Sequence, residues 1–256
     1  MVFGGQLIIA DIGNPLGLGT LYLGPAAVLF TVLVTIAVVN AFNFVDGIDG
    51  LAGCLAAVAI TAVAAVAAGW PASTAAIAVV VCACVVGFLL FNFPARANWH
   101  LKSFMGDAGS TLLGLIVVWL TVCVSQGESR EISPVVGLWF ATMPLADLFT
   151  CFVRRIAKGK SPMRPGREHF HYLLLRGGLS ARQVLGVLTG LGALYAAIGV
   201  AGHSGGVPDS VLFIAWAAVC GSQYWLLRRS AALLRRAHWQ QLRNCDLTTR
   251  PQERVS

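Results

Sequence analysis

Charge is what this sequence has least of. Only 11% of its 256 residues are Asp, Glu, Lys or Arg, whereas a soluble domain usually carries about 25%. Hydrophobic residues make up 57% and come in long uncharged runs. A water-soluble core is therefore a poor fit. The pattern predicts an all-α, polytopic membrane helix bundle, because helices pair their own backbone groups inside lipid.

The sequence also lacks the patterns that would give its seven cysteines a chemical role. None forms a Cys-x-x-Cys pair, and no histidine stands near them at zinc spacing. We interpret them as small apolar side chains in helices. The first 20 residues lack the basic start and cleavage site of a secretory signal. The net charge of +7 follows from topology, so we expect no nucleic-acid partner.

Seven apolar segments are long enough to cross roughly 30 Å of hydrocarbon at about 1.5 Å per residue. They predict about seven transmembrane helices within an integral membrane domain over residues 21–227. Residues 1–20 are expected to form a short extracytoplasmic loop or partial helix, and residues 228–256 a basic cytoplasmic tail. The glycines at 186 and 190 have the spacing that lets membrane helices approach closely. The predicted spans are 21–41, 51–68, 73–91, 111–125, 135–153, 184–201 and 211–227.

Basic residues decide the predicted orientation. Of the 18 Lys and Arg, eight lie in the loop 154–182 and seven in the tail 228–256, while only Arg130 falls in a loop of the opposite set. The positive-inside rule therefore places both basic segments, the loop 92–110 and the stretch 40–50 in the cytoplasm. We expect a multi-pass protein of the bacterial cytoplasmic membrane, with its working face and its tail in the cytoplasm.

The stretch Asn40–Gly50 places a polar run where one apolar segment ends and the next begins. It contains Asn43, Asp46 and Asp49. Carboxylates three residues apart share one face of a short helix or bracket a turn, and neighbouring glycines allow a ligand to approach closely. The spacing and the missing terminal Glu argue against an EF-hand. The plain alternative is a polar turn between helices.

A second polar segment, Phe104–Ser110, falls on the same predicted side. Its Asp107 suits a hard cation with open positions for phosphate oxygens. The alternative is an ordinary N-cap, since Asp and Ser are common before helices. His100 and Lys102 stand nearby as candidate phosphate contacts.

A third segment, Ser161–His171, is basic and rich in Pro. Arg164 and Arg167 would form a rigid fork for phosphates, and the histidine pair at its end could donate hydrogen bonds to a diphosphate. The alternative is a solvated loop that serves only topology. Asp147, inside the fifth predicted span, is a further site candidate because ionisable residues inside a membrane are usually functional. A structural salt bridge with an arginine is its alternative.

Acidic residues for a metal and basic residues for phosphates, on a scaffold embedded in lipid, suggest phosphoryl transfer onto a membrane lipid. Four segments together resemble the polyprenyl-phosphate N-acetylhexosamine-1-phosphate transferases, which form glycosyltransferase family 4. The branch most similar is the bacterial undecaprenyl-phosphate N-acetylglucosaminyl-1-phosphate transferases. The segments match in order and spacing, and they are Asn40–Leu51, Phe104–Ser110, Pro144–Asp147 and Ser161–His171.

The resemblance implies transfer of a sugar 1-phosphate from a UDP-N-acetylhexosamine to a polyprenyl phosphate, with release of UMP. The reaction would start a cell-envelope glycan, such as O-antigen or teichoic acid, and would require Mg²⁺, with Mn²⁺ as an alternative. The resemblance implies Asp107 as the metal ligand. It also implies a catalytic set of Asp46, Asp49 and Asp107, and a substrate-binding set of Asn43, Arg164, Arg167, His169 and His171.

The sequence departs from the family pattern at two places. Tyr172 stands where the branch often has another histidine. The family also carries an Asp-Asp pair before the first motif, whereas Asp11, on the predicted far side, is the only acid before Asp46 here. We therefore expect an N-terminally truncated chain that is weakly active or inactive alone.

Two rival functions follow from the same residues. A non-catalytic remnant, scaffold or transporter of this fold is one, although transporters place polar groups near the midplane and often have inverted repeats. A CDP-alcohol phosphotransferase is the other, but it would need a run of Asp followed by Ala-Arg that is missing. The hexosamine, the polyprenyl chain and the glycan pathway stay open, as does the choice between monomer and homodimer.

Overall fold

The computed structural model describes residues 7–67, 69, 72–93, 102–127, 130–159, 161 and 169–248, apart from the side chains of 72, 73 and 230–248. Within these residues the regular structure is helical, apart from one isolated β-bridge between Asp11 and Tyr22. The helices are α1 (Ala27–Val45), α2 (Leu51–Val66), α3 (Ala72–Asn92), α4 (Gly106–Ser125), α5 (Pro134–Phe140), α6 (Thr142–Ile156), α7 (Phe170–Arg176), α8 (Ala181–Ser204) and α9 (Asp209–Thr248).

The predicted membrane bundle is confirmed, with a smaller number of full spans. Two of the seven predicted segments differ from a simple crossing, since α2 has only 16 residues and the predicted span 135–153 is a pair of helices bent by 84°. The described part of the chain thus has five candidate spans, or six if the bent pair counts as one. The five are Gly24–Val45, Thr74–Asn92, Gly106–Ser125, Ala181–Ser204 and Asp209–Arg229.

The bend between α5 and α6 has a cause in the sequence. Pro144 has no N–H, so it cannot bond to the carbonyl of Phe140, and in an uninterrupted helix its ring would clash with that carbonyl. Phe140 is the last residue of α5, and Ala141 leaves helical geometry at φ −112° and ψ 17°. At its other end, α5 begins with Pro134 after the N-cap Ser133, whose hydroxyl accepts from the N–H of Val135.

The central helix is α2, which is buried along its length and packs against α8, α3 and α4. A helix that is apolar all round belongs in a core, and its alanines leave room for neighbours. A Cβ at Gly192 of α8 would overlap the side chain of Leu55. The spacing of Gly186 and Gly190 would allow a close approach, but no described residue lies within 4 Å of a Cβ at either position.

The contact between α1 and α4 brings their backbones together. A Cβ at Gly114 would lie 2.9 Å from the Cα of Val39 and 3.2 Å from the carbonyl oxygen of Val38. Only a glycine fits there. Asp107 lies about two turns from Gly114 along α4, and Asn43 about one turn from Val39 along α1. The crossing therefore brings Asn43 and Asp107 to the same end of the bundle.

That end, which we call the motif end, comprises residues 43–50, 102–110 and 169–172. At the opposite, far end, Arg130 pairs with Asp11 at 2.9 Å. Asp209 accepts hydrogen bonds there from the hydroxyl of Ser133 (2.6 Å) and the N–H of Asn14 (2.9 Å). Asp11 and Asp46 therefore lie at different ends, as the sequence predicts. The last helix continues to Thr248, so the predicted basic tail begins inside α9.

We expect Gly114→Ala to destabilise the protein by about 1–3 kcal/mol, because its Cβ meets backbone that cannot move aside. Thermal unfolding in detergent measures this change. Gly87→Ala in α3 is the matched control, since no described residue lies within 4 Å of a Cβ there and alanine favours a helix over glycine by about 1 kcal/mol. Equal unfolding temperatures for the two variants would contradict the close crossing.

Candidate functional site

The site begins where α1 meets the start of α4. The side-chain amide of Asn43 donates to Asp107 Oδ1 at 3.2 Å and to Ser110 Oγ at 3.1 Å. Ser110 is buried, and its hydroxyl donates to the carbonyl of Gly106 at 3.2 Å. Gly106 starts α4 at φ +65°, a conformation that favours glycine. The first and second motifs therefore meet through Asn43 and Asp107.

Asp46 and Asp49 flank the turn that follows α1. Asp46 caps the end of α1, and the N–H of Gly47 donates back to the carbonyl of Val45 at 2.7 Å. Burial, followed by the nearby negative charges of Asp107 and Asp49, raises the pKa of Asp46 to about 6. The three predicted catalytic carboxylates thus interact electrostatically across one small region.

Lys102 lies in this region as well. Its ammonium pairs with Asp49 Oδ2 at 2.7 Å and lies 5.0 Å from the centre of the Phe104 ring. Both members of the ion pair are partly exposed, so the pair contributes at most about 1 kcal/mol to stability. Its main effect is to hold the segment before α4 against the first motif. Lys102 remains a predicted phosphate contact, while His100 lies outside the described residues.

Asn92 is a residue that sequence reasoning missed. It ends α3, is 3% exposed, and accepts from the N–H of Gly50 at 2.5 Å. Its amide donates to the carbonyl of Ser103 at 2.7 Å. Asn92 thus ties the turn before α2 to the segment before α4. The sequence does show Asn92 at the end of an apolar run. A buried asparagine there needs hydrogen-bond partners for both its oxygen and its nitrogen, which could have marked it as a link between segments.

Asp147 joins the third motif. Its Oδ2 lies 2.9 Å from Nδ1 of His169, and its Oδ1 accepts from the N–H of Phe170 at 2.8 Å. The Sγ of Cys151 lies 3.4 Å from the same nitrogen of His169. The structure therefore gives Asp147 a histidine partner, where the sequence suggested an arginine. Arg164 and Arg167, the predicted phosphate fork, lie outside the described residues.

His171 has a different environment. It is 1% exposed, its ring lies 4.1 Å from that of Tyr172, and its Nε2 has no hydrogen-bond partner among the described residues. Burial lowers its pKa to about 4, so it is neutral at pH 7. A Cβ at Gly47 would overlap this Nε2. In this structure His171 packs under the turn of the first motif, and its predicted contact with a diphosphate stays a prediction.

These side chains make the motif end suitable for a cation and phosphates. Carboxylate and amide oxygens are the ligands of hard divalent ions. A largely apolar bundle with a cluster of carboxylates at one end is suited to act on polar groups at a membrane surface. The fold and the site together therefore define a multi-pass membrane protein with a polar site at one end.

Comparison with known proteins points to the same family as the motifs. Residues 1–125 match the family described as Glycosyl transferase family 4. The chain is 35% identical over 218 residues to the undecaprenyl-phosphate alpha-N-acetylglucosaminyl 1-phosphate transferase of Escherichia coli (strain K12), covering 84% of this chain and 58% of that protein.

Two relatives with the same name give similar identities. The protein of Yersinia pestis is 37% identical over 198 residues, or 77% of this chain and 54% of the relative. That of Haemophilus influenzae is 38% identical over 130 residues, or 51% of this chain and 37% of the relative. The chain thus spans less than two thirds of the length of each of these relatives.

Asp46→Asn should stabilise the protein above pH 6 and leave it unchanged near pH 4. The folded state keeps a proton on Asp46 up to about pH 6, whereas the unfolded chain releases it near the ordinary value of 3.8. The folded state binds more protons between these values, so stability falls as pH rises through that window. The half-exposed position limits the gain to about 1 kcal/mol. Thermal unfolding in chelator from pH 4 to 8 measures it.

The parent protein is the control for that experiment, because the two curves should coincide below the window, separate as pH rises through it and stay apart above it. A constant difference at every pH would contradict the assignment of the effect to Asp46.

Gly47→Ala should destabilise the motif end, because the new Cβ overlaps His171. We expect a loss of about 1–3 kcal/mol, as for other overpacked positions. Thermal unfolding of Gly47→Ala, His171→Ala and the double variant measures the coupling between them. The double variant should be more stable than the sum of the single changes predicts, and strict additivity would refute the contact.

Proposed function

We propose that this chain transfers an N-acetylhexosamine 1-phosphate from a UDP-sugar to a polyprenyl phosphate and releases UMP. The convergence of Asp46, Asp49 and Asp107 at one end of a membrane bundle carries the proposal. The names of the relatives support the same donor group and lipid acceptor. A phosphate oxygen of the acceptor attacks the β-phosphorus of the nucleotide sugar. The bond from that phosphorus to the bridging oxygen breaks, and UMP leaves with the electron pair.

The site residues fit Mg²⁺, with Mn²⁺ as the alternative. The donor set consists of oxygens. Burial is the largest cause of the raised pKa of Asp46, and the nearby charges of Asp107 and Asp49 add to it. Asp107 would hold the ion, with Asp46 and Asp49 beside it. The ion, when bound, would neutralise charge that develops on the diphosphate.

The protein's own side chains then have separate tasks. Asn43 holds Asp107 in place through its hydrogen bond. Lys102 pairs with Asp49 and is close enough to the carboxylates to contact a phosphate once the diphosphate enters. The resemblance assigns Arg164 and Arg167 to the same diphosphate.

An apolar cavity of about 350 Å³ supports a lipid acceptor. It lies between α1, α4, α5, α6 and α9, and side chains such as Phe30, Val34, Leu145 and Trp216 line it. Along α1 the lining ends at Val38, which is five residues, or about 8 Å, from Asn43. A prenyl chain in this cavity could therefore place its phosphate near the carboxylates.

We also propose that the protein lies in the bacterial cytoplasmic membrane with its motif end in the cytoplasm. The distribution of basic residues supports this orientation. Arg154, Arg155 and Arg176 lie near the motif end, in the last turns of α6 and α7, whereas Arg130 lies at the far end. A cytoplasmic site would face the pool of nucleotide sugars.

Asp107→Asn should lower Mg²⁺-dependent release of UMP from UDP-N-acetylglucosamine by about 100-fold or more, because the carboxylate that would hold the charge-neutralising ion is lost. Membranes that contain this chain and undecaprenyl phosphate serve for the assay, with labelled sugar phosphate followed into lipid. Asp209→Asn is the control, since that carboxylate lies at the far end and should leave the Mg²⁺ dependence unchanged.

Mg²⁺-dependent binding of UDP-N-acetylglucosamine to the purified protein is the second measurement. Binding that Asp107→Asn abolishes, without turnover in the parent, would favour the non-catalytic alternative. Absence of both binding and turnover would overturn the proposed function.

A further inference from the structure

We propose that Asp147 is a positioning residue that fixes the tautomer and the orientation of His169. It would hold Nδ1 of the imidazole and leave Nε2 as the nitrogen that meets the diphosphate. The diphosphate rests on the proposed function, whereas the relation between Asp147 and His169 rests on geometry alone.

The two oxygens of Asp147 have separate partners. Oδ2 lies 2.9 Å from Nδ1 of His169, and Oδ1 accepts from the N–H of Phe170 at 2.8 Å. Asp147 is 2% exposed and His169 is 5% exposed. A buried carboxylate is costly unless donors surround it, and here it has a donor for each oxygen. An ionised carboxylate can only accept, so Nδ1 carries the hydrogen.

The ring of His169 is also held from its sides. It lies 5.3 Å from the ring of Phe44 at 47° and stacks on the ring of His171 at 5.8 Å and 7°. Phe44 adjoins Asn43, which binds Asp107. With these neighbours around the ring and Asp147 bound to Nδ1, Nε2 is the nitrogen left to act on a ligand. A carboxylate that holds one nitrogen of a histidine commonly sets the chemistry of the other.

A metal ion is the rival explanation. Single ligand atoms of Asp147, Cys151 and His169 all lie within 4.8 Å of one another. Ligands at about 2.1 Å from a tetrahedral zinc ion would stand about 3.4 Å apart, whereas Nδ1 and Oδ2 are at hydrogen-bond distance, 2.9 Å. The second oxygen of Asp147 is already engaged by Phe170. The geometry therefore favours a hydrogen bond over a metal.

Asp147→Asn tests the proposal with little change in size. The asparagine has one oxygen, which can still accept from Phe170, and one amide group, which can only donate to Nδ1. The hydrogen of His169 should therefore move to Nε2. Nitrogen NMR of protein with ¹⁵N-labelled histidine, purified in detergent, distinguishes the two tautomers, and His169→Gln assigns the signal.

We expect the parent protein to show the Nδ1–H form and Asp147→Asn the Nε2–H form. The affinity for UDP-N-acetylglucosamine should fall about 10-fold in Asp147→Asn, the size typical of a carboxylate that orients a functional histidine. Cys151→Ala and Asp209→Asn are matched controls. The first lies beside the same histidine and the second is a hydrogen-bonded carboxylate at the far end, so both should stay within about twofold of the parent.

An Nε2–H form in the parent, or an unchanged tautomer or affinity in Asp147→Asn, would overturn the proposal. The parent spectrum decides the tautomer even if the variant does not fold. Titration with Co²⁺ is the third measurement, and a thiolate absorption that disappears in Cys151→Ala would establish a metal centre and overturn it as well. If the parent binds no UDP-N-acetylglucosamine, the proposed function fails, while the tautomers still decide whether Asp147 positions His169.

Discussion

The close backbone contact between α1 and α4 is the constraint on which the motif end depends. Membrane helices gain little from hydrophobic burial against each other, so small residues that let backbones approach are decisive. At Gly114 a side chain has no space beside Val38 and Val39. This proximity allows the amide of Asn43 to reach Asp107. The carboxylates of the two motifs therefore share one region because one residue lacks a side chain.

The motif end then combines groups that disfavour each other. Asp46 sits near two other carboxylates and holds its proton to about pH 6, which lowers the stability of the folded state at neutral pH. Sites that bind charged ligands commonly retain such a cost. The two buried histidines differ in their partners. His169 has a carboxylate beside it, whereas burial keeps His171 neutral. Similar residues two positions apart thus have different chemistry.

The bend between α5 and α6 decides which residues join the site. A straight span over 135–153 would carry Asp147 along one membrane helix. The restart of the helix at Thr142, which Pro144 causes, sends α6 off at 84° instead. Asp147 then meets His169, 22 positions later in the chain. A single proline inside an apolar run thus affects both the fold and the surroundings of the third motif.

The sequence by itself determined the class of the protein. Scarce charge and long apolar runs indicate a membrane protein, and helices satisfy the hydrogen bonds of their own backbone within lipid. The order and spacing of four motifs also indicated the family that the comparisons match. Tertiary structure alone decided that Asn92 holds Gly50, that Lys102 pairs with Asp49, and that His171 is buried beneath Gly47. Composition and spacing report the average surroundings of a segment. Hydrogen-bond partners depend on which backbones approach each other, and in this protein a glycine and a proline set those approaches.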